Sequence, residues 1–304
     1  MEKEPTHLSE EQVDRKEKRG RNVTIHARFV RHGEKATSTQ SAETSLSPQG
    51  ERQAIALGEN LPPAQIIKGY SSRTDRTRDT SRLAAKHSHT PKKYMVHYKQ
   101  KIEGKWVKKT IEEPRYRDQL AFHYDSQGAF AQEAMRLKAE SLGHDWKNLP
   151  PQEIQKRLLE AEEKQVALYL SYGDKRPDPN TYSPVESAAL IADTFNTYLE
   201  MADRLDSGSE VDLINASHDF PLDAFLKEVL VRKEGEKIIH GFKDMGEIGG
   251  ALDFTEGFEV RIQTDNLGQK SAALILRGKE YKIDQTRLEQ LVKIARDLKQ
   301  AKLS

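Results

Sequence analysis

Three short stretches carry side chains that can handle a phosphoryl group. Arg31, His32 and Gly33 follow the run Val23 to Val30 in "VTIHARFVRHGEK", Arg76 follows "AQIIKGYSS", and His218 follows "DLINAS". Each lies just beyond a segment whose alternating and β-branched residues predict a strand. In open α/β sheets the loops at the carboxyl ends of strands converge, so two histidines and two arginines are expected to share one pocket. A neutral imidazole is a competent nucleophile toward phosphorus, and the group it accepts spreads charge over three oxygens. Two guanidinium forks and a second imidazole would neutralise that charge, each preorganised donor being worth roughly 3 kcal/mol. Gly33 is expected to allow a sharp turn and a close backbone approach, its N–H serving as a further donor.

The elements that must position these groups alternate. After the first strand, "SPQGERQAIALGENL" predicts a helix with Ser47 as cap and Pro48 at the favoured first position. A short buried strand, Ala64 to Ser72, and a helix, Thr74 to His87, complete the grammar of a crossover α/β sheet. From about Pro91 the pattern changes. "KKYMVHYKQKIEGKWVKKTIEE" predicts a hairpin turning at Glu103 and Gly104, and two helices follow, about 128–142 and 151–172. Residues 91–180 therefore read as an insertion or cap, whose aromatics Tyr94, Trp106, Tyr116, Phe122 and Tyr124 would shape a pocket or form its own core.

Beyond it, Ser183-Pro184-Val185-Glu186 has capping-box spacing and opens a helix to about Leu205. The strand "EVDLINAS", a helix in "PLDAFLKEVLV", strands in "GFEVRIQT", "SAALILR" and "KEYKI", and an amphipathic terminal helix finish the chain. There is no internal repeat or low-complexity tract.

Composition narrows the class. The 304 residues are 36% hydrophobic, enough for a core, and 49 Lys and Arg against 48 Asp and Glu leave a formal charge of +1. No global basic field favours nucleic acid. The absence of cysteine excludes disulfides, thiolate metal sites and a cysteine nucleophile, and fits a reducing compartment. Residues 1–22 read as a charged, flexible tail without a signal peptide's apolar stretch, and no run has the roughly 20 apolar residues of a membrane span. A cytoplasmic location is expected, with no membrane partner.

"FVRHGEK", "LSPQGERQA", "YSSRTDRTRDTSRLA" and "NASHD", in that order, resemble the landmarks of the histidine phosphatase superfamily, which shares the phosphoglycerate mutase-like fold. The resemblance runs through residues 23–88 and resumes at 184–230, and its context is that of the phosphoglycerate mutase-related branch. It implies a three-layer α/β/α sandwich with a mixed, mainly parallel sheet, formed by residues 23–304 as one domain with the insertion.

It also implies roles. His32 resembles the phosphate-accepting nucleophile, and Arg31, Arg76 and His218 the phosphate clamp, with Gly33 and Glu34 alongside. The proton donor is expected at Asp118 in "PRYRDQL", where mutase-related members carry a carboxylate, with Glu112 and Glu113 as neighbours; Asp219, where the acid phosphatase branch carries one, is the alternative. The activity implied is metal-independent, cofactor-free hydrolysis of a phosphomonoester, on a small phosphorylated molecule or a phosphopeptide, through a phosphohistidine. A mutase and a non-catalytic phosphate-binding protein are the alternatives; oligomeric state has no signal.

Other features take ordinary readings. Arg73 and Arg78 are expected on a solvated helix face or paired with Asp75 and Asp79. His87 and His89 lack a third ligand at metal spacing. The lysines from Lys92 to Lys109 suit the wet face of an edge hairpin, and "GEIGG" suits a turn more than a dinucleotide loop.

Overall fold

The computed structural model describes residues 19–36, 43–93, 96–102, 105–111 and 113–301. Most of the expected tail, together with Tyr94, Glu103, Gly104 and Glu112, lies outside these residues. The strands are β1 (Thr24–Arg31), β2 (Ile66–Ser71), β3 (Lys92–Lys93), β4 (Val96–Ile102), β5 (Lys105–Ile111), β6 (Arg115–Tyr116), β7 (Glu210–Ser217), β8 (Leu230–Glu234), β9 (Lys237–His240), β10 (Gly257–Thr264), β11 (Lys270–Leu276) and β12 (Lys279–Ile283). The helices are α1 (Pro48–Glu59), α2 (Asp75–His87), α3 (Ala129–Leu142), α4 (Pro151–Ser171), α5 (Pro184–Ala202), α6 (Asp219–Val229) and α7 (Gln285–Ala301).

One mixed sheet runs β3-β2-β7-β1-β10-β11-β12-β8-β9, with β6 also beside β2. Its core, β2-β7-β1, is parallel, and the strands from β10 onward pair antiparallel. The expected α/β/α layering is present. On one face Val30, Ile67, Ile214 and Ala216 pack with Ala84 of α2 and with Leu61 just beyond α1. On the other, Ile25, Ala27, Phe29 and Leu213 meet Phe195 and Tyr198 of α5, Phe225 of α6 and Leu291 of α7.

The alternation of β1 decides both contacts, since successive side chains point to opposite faces. Where the helical layer stops, the same alternation sets a largely buried charged ladder on that face. Arg28 donates from Nε to Asp212 at 3.0 Å and pairs through Nη1 with Glu259, directly opposite on β10, at 2.6 Å. His26 Nδ1 lies 2.8 Å from the same carboxylate. These ions occupy the sheet face in place of an apolar layer.

The caps follow the sequence. Ser47 accepts from the Gly50 N–H at 3.0 Å, and Ser183 with Glu186 closes the predicted capping box. In the insertion, β4 and β5 pair antiparallel on either side of the expected turn. "GEIGG" forms a 3-10 turn at Met245–Ile248, ended by Gly249 at φ 91°, so the turn reading holds. The hairpin β8-β9 and the short β6 have no counterpart among the expected elements, because their two to five residues carry no clear period.

Candidate active site

β1 and β7 are parallel neighbours in register from Thr24 opposite Glu210 to Arg31 opposite Ser217. His32 and His218 therefore emerge side by side, their ring centroids 5.3 Å apart. β2 borders β7 with Ser71 opposite Ala216, so the chain turning from β2 into α2 delivers Arg76 to the same place. Register alone converts three distant segments into one pocket. His218 is also the N-cap residue of α6, whose amino end adds positive potential there.

The imidazole of His32 is held in one tautomer. Its Nδ1 lies 2.7 Å from the Gly33 carbonyl, which can only accept, so the proton sits on Nδ1. Arg76 Nε donates to Nε2 at 3.1 Å, marking Nε2 as the atom with the free lone pair. Burial first, then the charges of His218, Arg76 and Arg31, hold His32 well below its ordinary pKa. Burial with Arg76, Lys35 and Arg31 does the same to His218. Both rings are thus neutral near neutrality. His218 Nε2 shares a 3.2 Å hydrogen bond with Ser72 Oγ.

Arg31 is locked from several sides. Its Nη1 donates to the Leu252 carbonyl at 2.8 Å and its Nη2 to Glu162 of α4 at 3.0 Å, with Asp219 Oδ2 at 3.4 Å. The Phe254 ring lies under the guanidinium, 4.2 Å to its centroid, a favourable cation–π distance. Burial opposes the charge, but Asp219 and Glu162 outweigh it and raise the Arg31 pKa.

Gly33 serves differently from the sequence expectation. Its N–H donates to Thr80 Oγ1 at 2.9 Å, so that donor is engaged within the protein. A Cβ at Gly33 would stand 2.6 Å from the Gly50 carbonyl oxygen, and one at Gly50 would stand 2.1 Å from the Glu34 carbonyl oxygen. Two glycines let the loop after β1 lie directly on the start of α1. Glu34 secures the same contact, its N–H donating to Gln53 at 2.9 Å and its carboxylate accepting from Ser47 Oγ at 3.1 Å.

The two candidate acids sit in different surroundings. Asp219 opens α6, mostly buried beside Arg31 and within electrostatic reach of Arg76. Asp118 follows β6 with a half-exposed carboxylate, accepts from Tyr116 OH at 2.6 Å and lies 3.6 Å from His123 Nε2. Glu113 lies 3.8 Å from Arg78, which also pairs with Asp75 at 3.0 Å, as its ordinary reading expected. Arg73 stacks over Tyr116 at 4.5 Å. Phe122 and Tyr124 stack with centroids 5.0 Å apart, and Phe122 meets Phe220 of α6 at 4.8 Å.

Glu162, Lys35, Phe254 and Asp223 belong to this neighbourhood and escape sequence reasoning. Glu162 arrives from a helix of ordinary amphipathic pattern, so nothing local distinguishes it. Asp223 lies one turn after Asp219 and is wholly buried, with neither carboxyl oxygen hydrogen-bonded. Burial first and Asp219 second raise its pKa well above the usual carboxylate value. The available signal is an acidic i, i+4 pair in a helix's first turn, which by pattern alone reads as helix and nothing more.

Among the described residues no helix is long and apolar enough to cross a membrane. No curated protein matches the sequence significantly. Solved structures that resemble it include "Mycobacterial hydrolase 1", 14% identical over 85% of this chain and 99% of that one, at a TM-score of 0.44. A mycobacterial glucosyl-3-phosphoglycerate phosphatase is 16% identical over 80% of this chain and 92% of its own, at 0.38. A phosphoglycerate mutase from Thermus thermophilus is 18% identical over 79% and 92%, at 0.35. The family model described as histidine phosphatase superfamily (branch 1) matches residues 28–166. That span includes the Arg31-His32-Gly33 turn and Arg76, which the fold joins to His218, and over it the chain is similar to the histidine phosphatase superfamily.

Proposed function

We propose that the protein hydrolyses phosphomonoesters through a phosphohistidine on His32. The observation that carries this reading is the tautomer lock, with Nδ1 on the Gly33 carbonyl and Nε2 on Arg76 at 3.1 Å. It leaves a neutral nucleophile between two arginines and a second histidine, which supply the charge neutralisation without a metal ion.

When a phosphoryl group enters, its oxygens take the Arg76 fork and release Nε2. The N–P bond forms in line as the ester P–O bond breaks, and the leaving oxygen takes a proton from a carboxylic acid. Water then attacks phosphorus, giving its proton to the same carboxylate and returning His32 to its starting state.

For the acid, the position of Asp219 beside Arg31 and near Arg76 supports it above Asp118. A second reading keeps Asp118, because it contacts His123, which in turn acts electrostatically on His218. The family test is hydrolysis of an aryl phosphate with chelator present, by wild type and His32→Ala. Turnover by wild type alone supports the mechanism, and equal turnover by both sinks it. Tight orthophosphate binding without turnover would point to a binding protein. A phosphoenzyme that persists until a phosphorylated acceptor arrives would point to a mutase.

A further inference from the structure

Arg31 faces two carboxylates on one nitrogen. Its Nη2 donates to Glu162 Oε2 at 3.0 Å, and Asp219 Oδ2 lies 3.4 Å from the same atom. Asp219 has a task in the proposed reaction, whereas Glu162 has none. Glu162 comes from α4 of the insertion, a helix anchored in the core. Val166, one turn further on, is buried together with Tyr169 and Leu170. Tyr169 OH donates to the Tyr182 carbonyl at 3.0 Å, and Lys227 Nζ donates to the Leu170 carbonyl at 3.2 Å. A helix held in this way presents its carboxylate at a set place. The Arg31 side chain is 6% exposed and that of Glu162 31%, so Glu162 is the member of the pair that solvent reaches.

An ion pair that simply holds the fold is one use of such a contact. However, a buried pair is weak evidence for stability, and the Leu252 carbonyl at 2.8 Å and the Phe254 ring at 4.2 Å already hold the guanidinium. The electrostatic consequence is more specific. A phosphoryl group bound by Arg31 comes close to the Glu162 carboxylate, because both would lie against one guanidinium. Like charges at that range, away from bulk water, repel. Arg31 therefore holds an anion less firmly than an arginine without such a partner. Orthophosphate is the product of the proposed reaction, and two arginines with two histidines would retain it. Holding product does nothing for turnover, and product release limits many enzymes.

We propose that Glu162 is a counter-charge on the phosphate clamp, a carboxylate that the insertion sets on Arg31 to weaken the hold on orthophosphate and let it leave. The inference rests on the reading of Arg31 as a phosphate ligand. The insertion then acts on turnover and not only on access to the pocket.

Glu162→Gln removes the charge and keeps an acceptor for Nη2. Calorimetry should show it binding orthophosphate about tenfold tighter than wild type, and Glu162→Ala should move in the same direction. Damage to the pocket would weaken binding, so the sign separates a counter-charge from a merely structural contact. In steady state on an aryl phosphate, KM and the inhibition constant for orthophosphate should fall together in Glu162→Gln, by about tenfold. A folded Glu162→Gln, or Glu162→Ala should glutamine misfold, that binds orthophosphate no tighter than wild type overturns the counter-charge. A lower melting temperature with unchanged affinity does so as well, and makes Glu162 a structural anchor. If Glu162→Gln binds tighter but wild type turns over no phosphomonoester, the counter-charge stands and the hydrolytic reading fails. If wild type turns over aryl phosphates and the variant gains no affinity, the reverse holds.

Discussion

Replacing Arg76 by glutamine separates two jobs that the structure gives one side chain. Arg76 Nε donates to His32 Nε2 at 3.1 Å, and its charge is among the causes that hold the His32 pKa low, after burial and His218. The guanidinium is also the fork that the phosphoryl oxygens would take over. Losing one preorganised donor at developing charge costs about 3 kcal/mol, or about a hundredfold in rate. Glutamine keeps some length and polarity, so the substitution removes charge with little loss of volume. The sign of the pH effect is fixed. His32 must be neutral to attack, its pKa lies well below the ordinary value, and removing a nearby positive charge raises it. The acid limb of kcat/KM should therefore move to higher pH as the plateau falls about a hundredfold. The assay is a pH-rate profile on an aryl phosphate between about pH 4 and 8, wild type against variant, with the chemical step confirmed by single turnover. A plateau within about threefold of wild type and an unmoved acid limb would refute the placement of Arg76 against the nucleophile.

Three further outcomes are expected. Asp219→Asn should slow alkyl phosphates far more than aryl phosphates with good leaving groups, while Asp118→Asn slows both about equally; the opposite pattern returns the acid to Asp118. Gly50→Ala puts a methyl group 2.1 Å from the Glu34 carbonyl oxygen, so it should destabilise by about 1–3 kcal/mol in urea unfolding and lower activity with it, whereas a neutral result would mean the loop after β1 is not pressed on α1. His26, paired with Glu259, has a pKa raised above 6.5. Its contribution is therefore full below that pH and lost as pH rises through the raised value. His26→Gln should destabilise the protein near pH 5.5 and much less near pH 9, and an equal loss at both pH values would mean the pair is not ionic.

Much of the frame is legible in the sequence because short, strong patterns fix it. The strand ends at Arg31 and Ser217, the capping box at Ser183 and the proline-started helices are local signals, and the pairing of β1 with β7 brings His32 and His218 together. Other features depend on contacts distant in sequence. The glycine at position 33 reads locally as a phosphate donor, but its N–H is taken by Thr80 and its small size serves Gly50, two partners no local pattern connects. Glu162 reaches Arg31 across 131 positions. The order proposed for the two acids turns on burial, which spacing does not encode. Asp118 follows a two-residue strand and faces solvent, whereas Asp219 opens a helix whose amino end points into the pocket.

Central to the proposed chemistry is a covalent step, in which His32 itself carries the phosphoryl group between attack and hydrolysis. The direct measurement is rapid alkaline quench of wild type during turnover of an aryl phosphate, followed by mass spectrometry of the peptide containing His32, since phosphohistidine survives base. The predicted result is a phosphoryl adduct on His32 that forms within the first turnover, decays as substrate is exhausted and is absent in His32→Ala. Turnover with no adduct on that peptide at any quench time, or an adduct on another residue that persists in His32→Ala, would contradict it.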